Sequence, residues 1–127
     1  MRILIGTVAV MLLAGCSVKP ISAENASPVS ADRQYAFTDK NDVTLLVTRD
    51  QGWYQSGHTI DFLIDGTLAA KVRMGEVARF GLKAGSHIIA VSAGGLLVER
   101  ELNAKSGETI RRRIPDGVTL DVTPTTF

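Results

Sequence analysis

The chain has 127 residues, with 14 Lys and Arg against 13 Asp and Glu and a formal net charge of +1. That balance has no basic excess for nucleic acid and no acidic excess for a solvated tail, so no nucleic-acid partner is expected. Cys16 is the one cysteine, so an internal disulfide has no second partner and the core must carry stability alone, in a chain too short to be a large enzyme with a deep pocket.

The first segment, residues 1–15, reads as a secretory leader. Arg2 supplies one positive charge, and an apolar stretch over 3–12 is broken only by Gly6 and Thr7. The small residues Ala14 and Gly15 then lead directly to Cys16. The apolar run to Ala14 is about 12 residues, short of the roughly 20 that a spanning helix needs. The order Leu13-Ala14-Gly15-Cys16 resembles the lipobox of bacterial lipoproteins. That resemblance implies diacylglycerol on the Cys16 sulfur, cleavage between Gly15 and Cys16, and acylation of the new amino group. The membrane would then be a partner through lipid, at about 0.8 kcal/mol per buried CH₂. Ser17 follows, and in Gram-negative lipoproteins serine there permits export to the outer membrane, with the domain in the periplasm; the inner membrane and the cell surface are the alternatives. The competing reading is an ordinary cleaved signal that leaves Cys16 as a stray thiol.

Loss of the leader removes Arg2 and leaves 112 residues with 13 basic and 13 acidic side chains. Residues 16–39 read as the lipidated cysteine and a flexible tether: Pro20, Pro28, serines and alanines occur with no sustained period. An alternative is that Tyr35 and Phe37, which alternate with Gln34 and Ala36, already begin an edge strand.

Residues 40–127 change texture to short alternating runs cut by glycine turns. Val43, Leu45 and Val47 form one such row, as do Ile60, Phe62 and Ile64, and Ala78, Phe80 and Leu82. Runs follow at 88–92, 96–102 and 110–114, and then Val118, Leu120 and Val122. Evenly spaced short strands of this kind predict an all-β fold, a small antiparallel β-sandwich of about 7–8 strands. Asp65-Gly66 suits a two-residue type I′ turn, which sets Ile64 opposite Thr67 and Phe62 opposite Ala69. The apolar pattern prefers Phe62 opposite Ala70, through a three-residue loop, and both registers stay open. Residues 96–114 read as a hairpin centred on Lys105-Ser106-Gly107. That register sets Glu101 opposite Arg111 and Glu99 opposite Arg113, with Arg100 facing Arg112 on the apolar side. The like-charge contact calls for an acid such as Glu76 or Asp121 between the two arginines, an open sheet edge, or an anion-binding role aimed at a partner carboxylate or phosphate.

Three segments resemble a family of small β-sandwich domains of unknown function in Gram-negative lipoproteins, akin to PEGA modules. They are the loop from Arg49-Asp50-Gln51-Gly52 through Trp53-Tyr54-Gln55-Ser56-Gly57, the strand end Ile64-Asp65-Gly66, and Leu82-Lys83-Ala84-Gly85-Ser86-His87. The resemblance covers about Val43 to Leu102 and implies a fold and an envelope location, with no activity or cofactor.

Candidate chemistry is sparse. Ser86 and His87 are neighbours on a predicted strand, so they point to opposite faces and cannot act as a nucleophile pair. His58, His87 and Asp61 lack ligand spacing, so no metal is expected. Asp61 and Asp65 would stand about 13 Å apart along a strand, too far for a glycosidase pair. No catalytic residue is therefore assigned. Trp53 and Tyr54, in a glycine-bounded loop, are candidate partner contacts, against the alternative that Trp53 folds back to cap the sandwich. Arg100 and Arg112 are the other candidate partner contacts, and Phe127 reads as a tail residue. The expected function is a non-enzymatic, lipid-anchored interaction module with an envelope protein or the cell wall as partner. The alternatives are an assembly subunit of an envelope or secretion complex, and a carbohydrate or cell-wall binding module.

Overall fold

Val43, Leu45 and Val47 recur at every second position, which puts all three on one face of an extended strand. In the computed structural model, which describes residues 20–52, 57–117 and 119–127, they are fully buried in β2 (Val43–Arg49). The same pattern buries the apolar rows of β3 (Ile60–Ile64) and β5 (Glu76–Leu82). With β1 (Ser27–Pro28), β4 (Thr67–Val72), β6 (Gly85–Ala93), β7 (Leu96–Ala104), β8 (Thr109–Ile114) and β9 (Thr123–Pro124), the described residues form two sheets. The first has the order β1-β5-β2-β8-β9 and the second β4-β3-β6-β7. The all-β sandwich read from the sequence is thus the fold. Phe62 of the second sheet stacks on Phe80 of the first, with ring centroids 5.4 Å apart and planes 21° apart. Burying each of these rings contributes about 1.5–3 kcal/mol. Among the described residues no helix is long and apolar enough to cross a membrane.

The second sheet is antiparallel throughout, but the first is mixed, because β1 runs parallel to β5 and β2 parallel to β8. This overturns the expected hairpin over 96–114. Glu101 pairs with Ile88 of β6 rather than with Arg111, and Arg111 pairs with Leu46 of β2. The Lys105-Ser106-Gly107 turn carries the chain from one sheet to the other. Leu102, Ile110 and Ile114 of the expected apolar runs are buried, together with Ala104, in a core shared between the sheets. Apolar alternation is the same for a hairpin and for a corner between packed sheets, so pattern alone could not separate them.

At Asp65-Gly66 both candidate registers are partly realised. The two residues take φ of 49° and 77°, as a type I′ turn requires, and Ile64 faces Thr67. A β-bulge between Phe62 and Leu63 then shifts the pairing so that Phe62 faces Ala70. The bulge lets the turn and the apolar pattern coexist, with Ala69 and Ala70 both fully buried.

The stretch read as a tether takes part in the fold from Ser22 on. Asn25 N and Ala26 N donate to Ser22 O, β1 joins β5, and Ala26 and Val29 are buried. A 3-10 turn over Ala31–Arg33 follows. Arg33 Nη1 and Nη2 grip Glu76 Oε1 and Oε2, each at 2.7 Å, and Arg33 Nη1 also donates to Lys71 O. Tyr35 N donates to Ala69 O at 2.8 Å, which covers the bulge; the alternative of a strand at Tyr35 and Phe37 reduces to a single bridge, Gln34 with Ala70. Phe37 has a φ of 58°, and the chain then crosses Gly81, where an added Cβ would lie 1.9 Å from Asp39 O. The expected last strand through Leu120 and Val122 is not formed among the described residues, and the two-residue β9 begins just after it, at Thr123. Val122 is buried and Leu120 packs on the core without strand pairing, while Val118 lies outside the described residues.

Candidate functional site

Gly15, Cys16, Trp53 and Tyr54 lie outside the described residues. What the structure describes is the frame from which the Trp53 loop departs. Arg49 continues the inward row of β2 and is 4% exposed. Its Nη1 donates to His58 O at 2.6 Å and to Val72 O at 2.8 Å, so it ties both sides of the loop to β4. Asp50, 1% exposed, has Oδ2 2.9 Å from Arg113 Nη2. Burial pushes the Asp50 carboxyl above its ordinary value, and Arg113 opposes that only in part. This end of the sandwich is braced by buried charge.

The opposite end holds His87. Its Nδ1 lies 2.6 Å from Asp65 Oδ2 and its Nε2 lies 2.7 Å from Lys83 O. Asp65 Oδ1 also accepts from Ile88 N at 2.8 Å. A neutral imidazole can donate from one nitrogen only, so two oxygen partners favour the imidazolium. The Asp65 hydrogen bond, followed by the Lys83 carbonyl, raises the His87 pKa above 6.5. Burial pushes Asp65 up, but bonds from His87 and Ile88 N outweigh it and leave the carboxyl below its ordinary value. With both nitrogens engaged, His87 has none free to activate Ser86, whose Oγ reaches Glu101 Oε1 at 3.2 Å and Asn103 Oδ1 at 3.0 Å instead. Asp61 pairs with Lys71 at 2.8 Å. Among the described residues no group of His, Cys, Asp and Glu could hold a metal ion.

The two candidate arginines do not form a pair. Arg100 belongs to β7 and Arg112 to β8, in different sheets. Arg100 is held by Asp121, with Nη2 at 3.0 Å and Nε at 3.2 Å from Oδ1. Asp121 is one of the two acids expected near it; the other, Glu76, belongs to Arg33. Arg112 is one of three consecutive arginines with unlike surroundings. Arg111 faces outward to Glu24 at 3.3 Å and to the main-chain oxygen of Phe127 at 3.3 Å, and Arg113 faces Asp50. Arg112 points inward between Ile110 and Ile114, half-buried, and its Nη1 donates to Arg111 O at 2.9 Å. Among the described residues it forms no ion pair, and the residues outside that set contain no Asp or Glu. Burial lowers the Arg112 pKa, with only partial opposition from Glu108.

Arg112 lines a cavity of about 260 Å³ with Asn103, Glu108, Thr109, Arg111 and Thr125. The cavity exists because β9 pairs only with Arg112 and Arg113, which leaves the earlier part of β8 with an open edge. Thr109 and Thr125 were missed in the sequence reading, and nothing local marks them. Arg49 was also missed, although its place two residues beyond Val47 put it on the apolar row. Compared with protein-family models, curated proteins and solved structures, the chain gives no match.

Proposed function

We propose that this chain is a bacterial envelope lipoprotein, anchored by lipid on Cys16, whose β-sandwich serves as a non-enzymatic interaction module in the periplasm. The observation that carries the proposal is the order Leu13-Ala14-Gly15-Cys16 directly after a short apolar run. Ser17 favours the outer membrane as the destination. The non-enzymatic reading draws support from where the reactive side chains are spent: His87 in a clamp between two turns, Ser86 on β7, and Asp50 against Arg113. An assembly role draws support from β7, a nine-residue strand at the edge of its sheet, with Leu96 62% and Leu97 57% exposed at its start. A cell-wall role would rest on the Trp53 and Tyr54 loop.

Metabolic labelling with an azido-fatty acid tests the anchor. Label is expected on the wild-type chain and absent from Cys16→Ser; undiminished label on the variant would overturn it. Pulldown from detergent-solubilised envelope separates the roles: a stoichiometric protein favours assembly, and retention on peptidoglycan favours cell-wall binding.

A further inference from the structure

The geometry points to a carboxylate-binding site in the cavity at the open edge of β8, with Arg112 as the cation that receives the ligand. The inference rests on reading the domain as a binding module but not on its lipid, so the Cys16 labelling and the experiment below fail separately.

Taking a cation partly out of water costs free energy unless a counter-charge or several acceptors replace the water. Arg111 and Arg113 have acids, whereas Arg112 has one carbonyl among the described residues. Its planar fork still has donors left for two oxygens side by side, the arrangement a carboxylate presents.

The lining supplies the rest. Thr125 Oγ1 accepts from Phe127 N at 3.2 Å, which leaves its own proton to donate. Asn103 Oδ1 accepts from Ser86 Oγ, which leaves the amide N–H groups of Asn103 as donors. Charge selects the ligand. Arg111 is already paired with Glu24, and Glu108, which accepts from Lys105 N at 2.7 Å, adds one negative charge to the rim. A single guanidinium beside the Glu108 carboxylate suits a monoanion and disfavours a phosphate dianion. The carboxylate could belong to a free small acid or to the end of a peptide, and the cavity edge is open to either.

The test is an amide NMR titration of the full chain in mild detergent at constant ionic strength, with the amides of Thr109, Arg112 and Thr125 as reporters. The probes are acetate, N-acetyl-Ala-Ala with a free C-terminus, its C-terminal amide, and inorganic phosphate. Both carboxylates are expected to give saturable shifts with a dissociation constant of about 1 mM, weakened at least about tenfold in Arg112→Met but unchanged in Lys40→Met. A stronger response to the peptide than to acetate assigns the source to peptide ends, and equal responses assign it to free acids; both support the site. It is overturned if Arg112→Met, with an otherwise native spectrum, responds like the wild type. No saturation by about 50 mM, an equal response to the peptide amide, or a preference for phosphate would overturn it as well.

Discussion

Arg49 and Arg112 stand on adjacent parallel strands, and each takes an inward position in a row of apolar side chains. Arg49 follows Val47 at the end of β2, where the turns around it present the carbonyls of His58 and Val72. Arg112 falls between Ile110 and Ile114 at the side of the sandwich, where β9 is two residues long and offers few acceptors. One cation is thereby an internal brace, and its neighbour keeps hydrogen-bonding capacity to spare. The difference lies in the backbone around each residue, since the side chains are identical. Burial lowers the pKa of both; beyond that, Asp116 and Glu76 act on Arg49 and only Glu108 on Arg112.

The largest expected effect breaks the braced side of this comparison. Arg49→Met leaves the His58 and Val72 carbonyls without their donor, at a cost of about 2–4 kcal/mol in urea unfolding. A loss below about 0.5 kcal/mol would show that the guanidinium is not a brace. Glu76→Gln should cost less, about 1–2 kcal/mol, because Arg33 and Glu76 are 13% and 12% exposed and water screens part of the pair. Hydrogen exchange should show the amides of Val29 and Tyr35 losing protection first, since the pair holds this segment on β5 and β4.

The His87 clamp gives a smaller, pH-dependent effect of about 1 kcal/mol or less. Its raised folded pKa means that the imidazolium contribution is fully present below about 6.5 and is lost as pH rises through the folded value. The lowered Asp65 pKa adds a contribution present above about 3.8 and lost as pH falls through its folded value. The stability difference between wild type and His87→Gln, measured by thermal unfolding across pH, should therefore be greatest between these limits and shrink toward alkaline pH. A difference that grows with pH would contradict the protonated clamp. The smallest effect sharpens the other side of the comparison. Arg112→Met should leave stability within about 0.5 kcal/mol of wild type or raise it, because the methionine packs between two isoleucines without a charge to solvate. A loss as large as that of Arg49→Met would make Arg112 a brace as well.

Alternation over Val43, Leu45 and Val47, and over Ile60, Phe62 and Ile64, was enough to place both rows in a core, because a strand has only two faces. The two positive-φ residues at Asp65-Gly66 were likewise readable, since the turn is local chemistry. The bulge beside it was not, because it settles a conflict between the turn and the packing of Ala69 and Ala70. Of the candidate residues, Arg100 and Arg112 were visible as charges on apolar rows, but their separate environments were not.

By itself, the sequence determined the leader-like order up to Cys16, the sandwich class, the buried rows and most of the turns. These follow from properties of neighbouring residues: apolar run length, period two, and glycine where φ is positive. Tertiary structure alone decided that β8 lies beside β2 rather than β7 and that residues 22–37 pack on the sheets. It also decided that Arg112 faces a cavity in which no acid among the described residues forms an ion pair with it. Each of these depends on which strands meet across long stretches of chain, such as Arg33 with Glu76 and Leu46 with Arg111, and local pattern carries no record of a partner that far away.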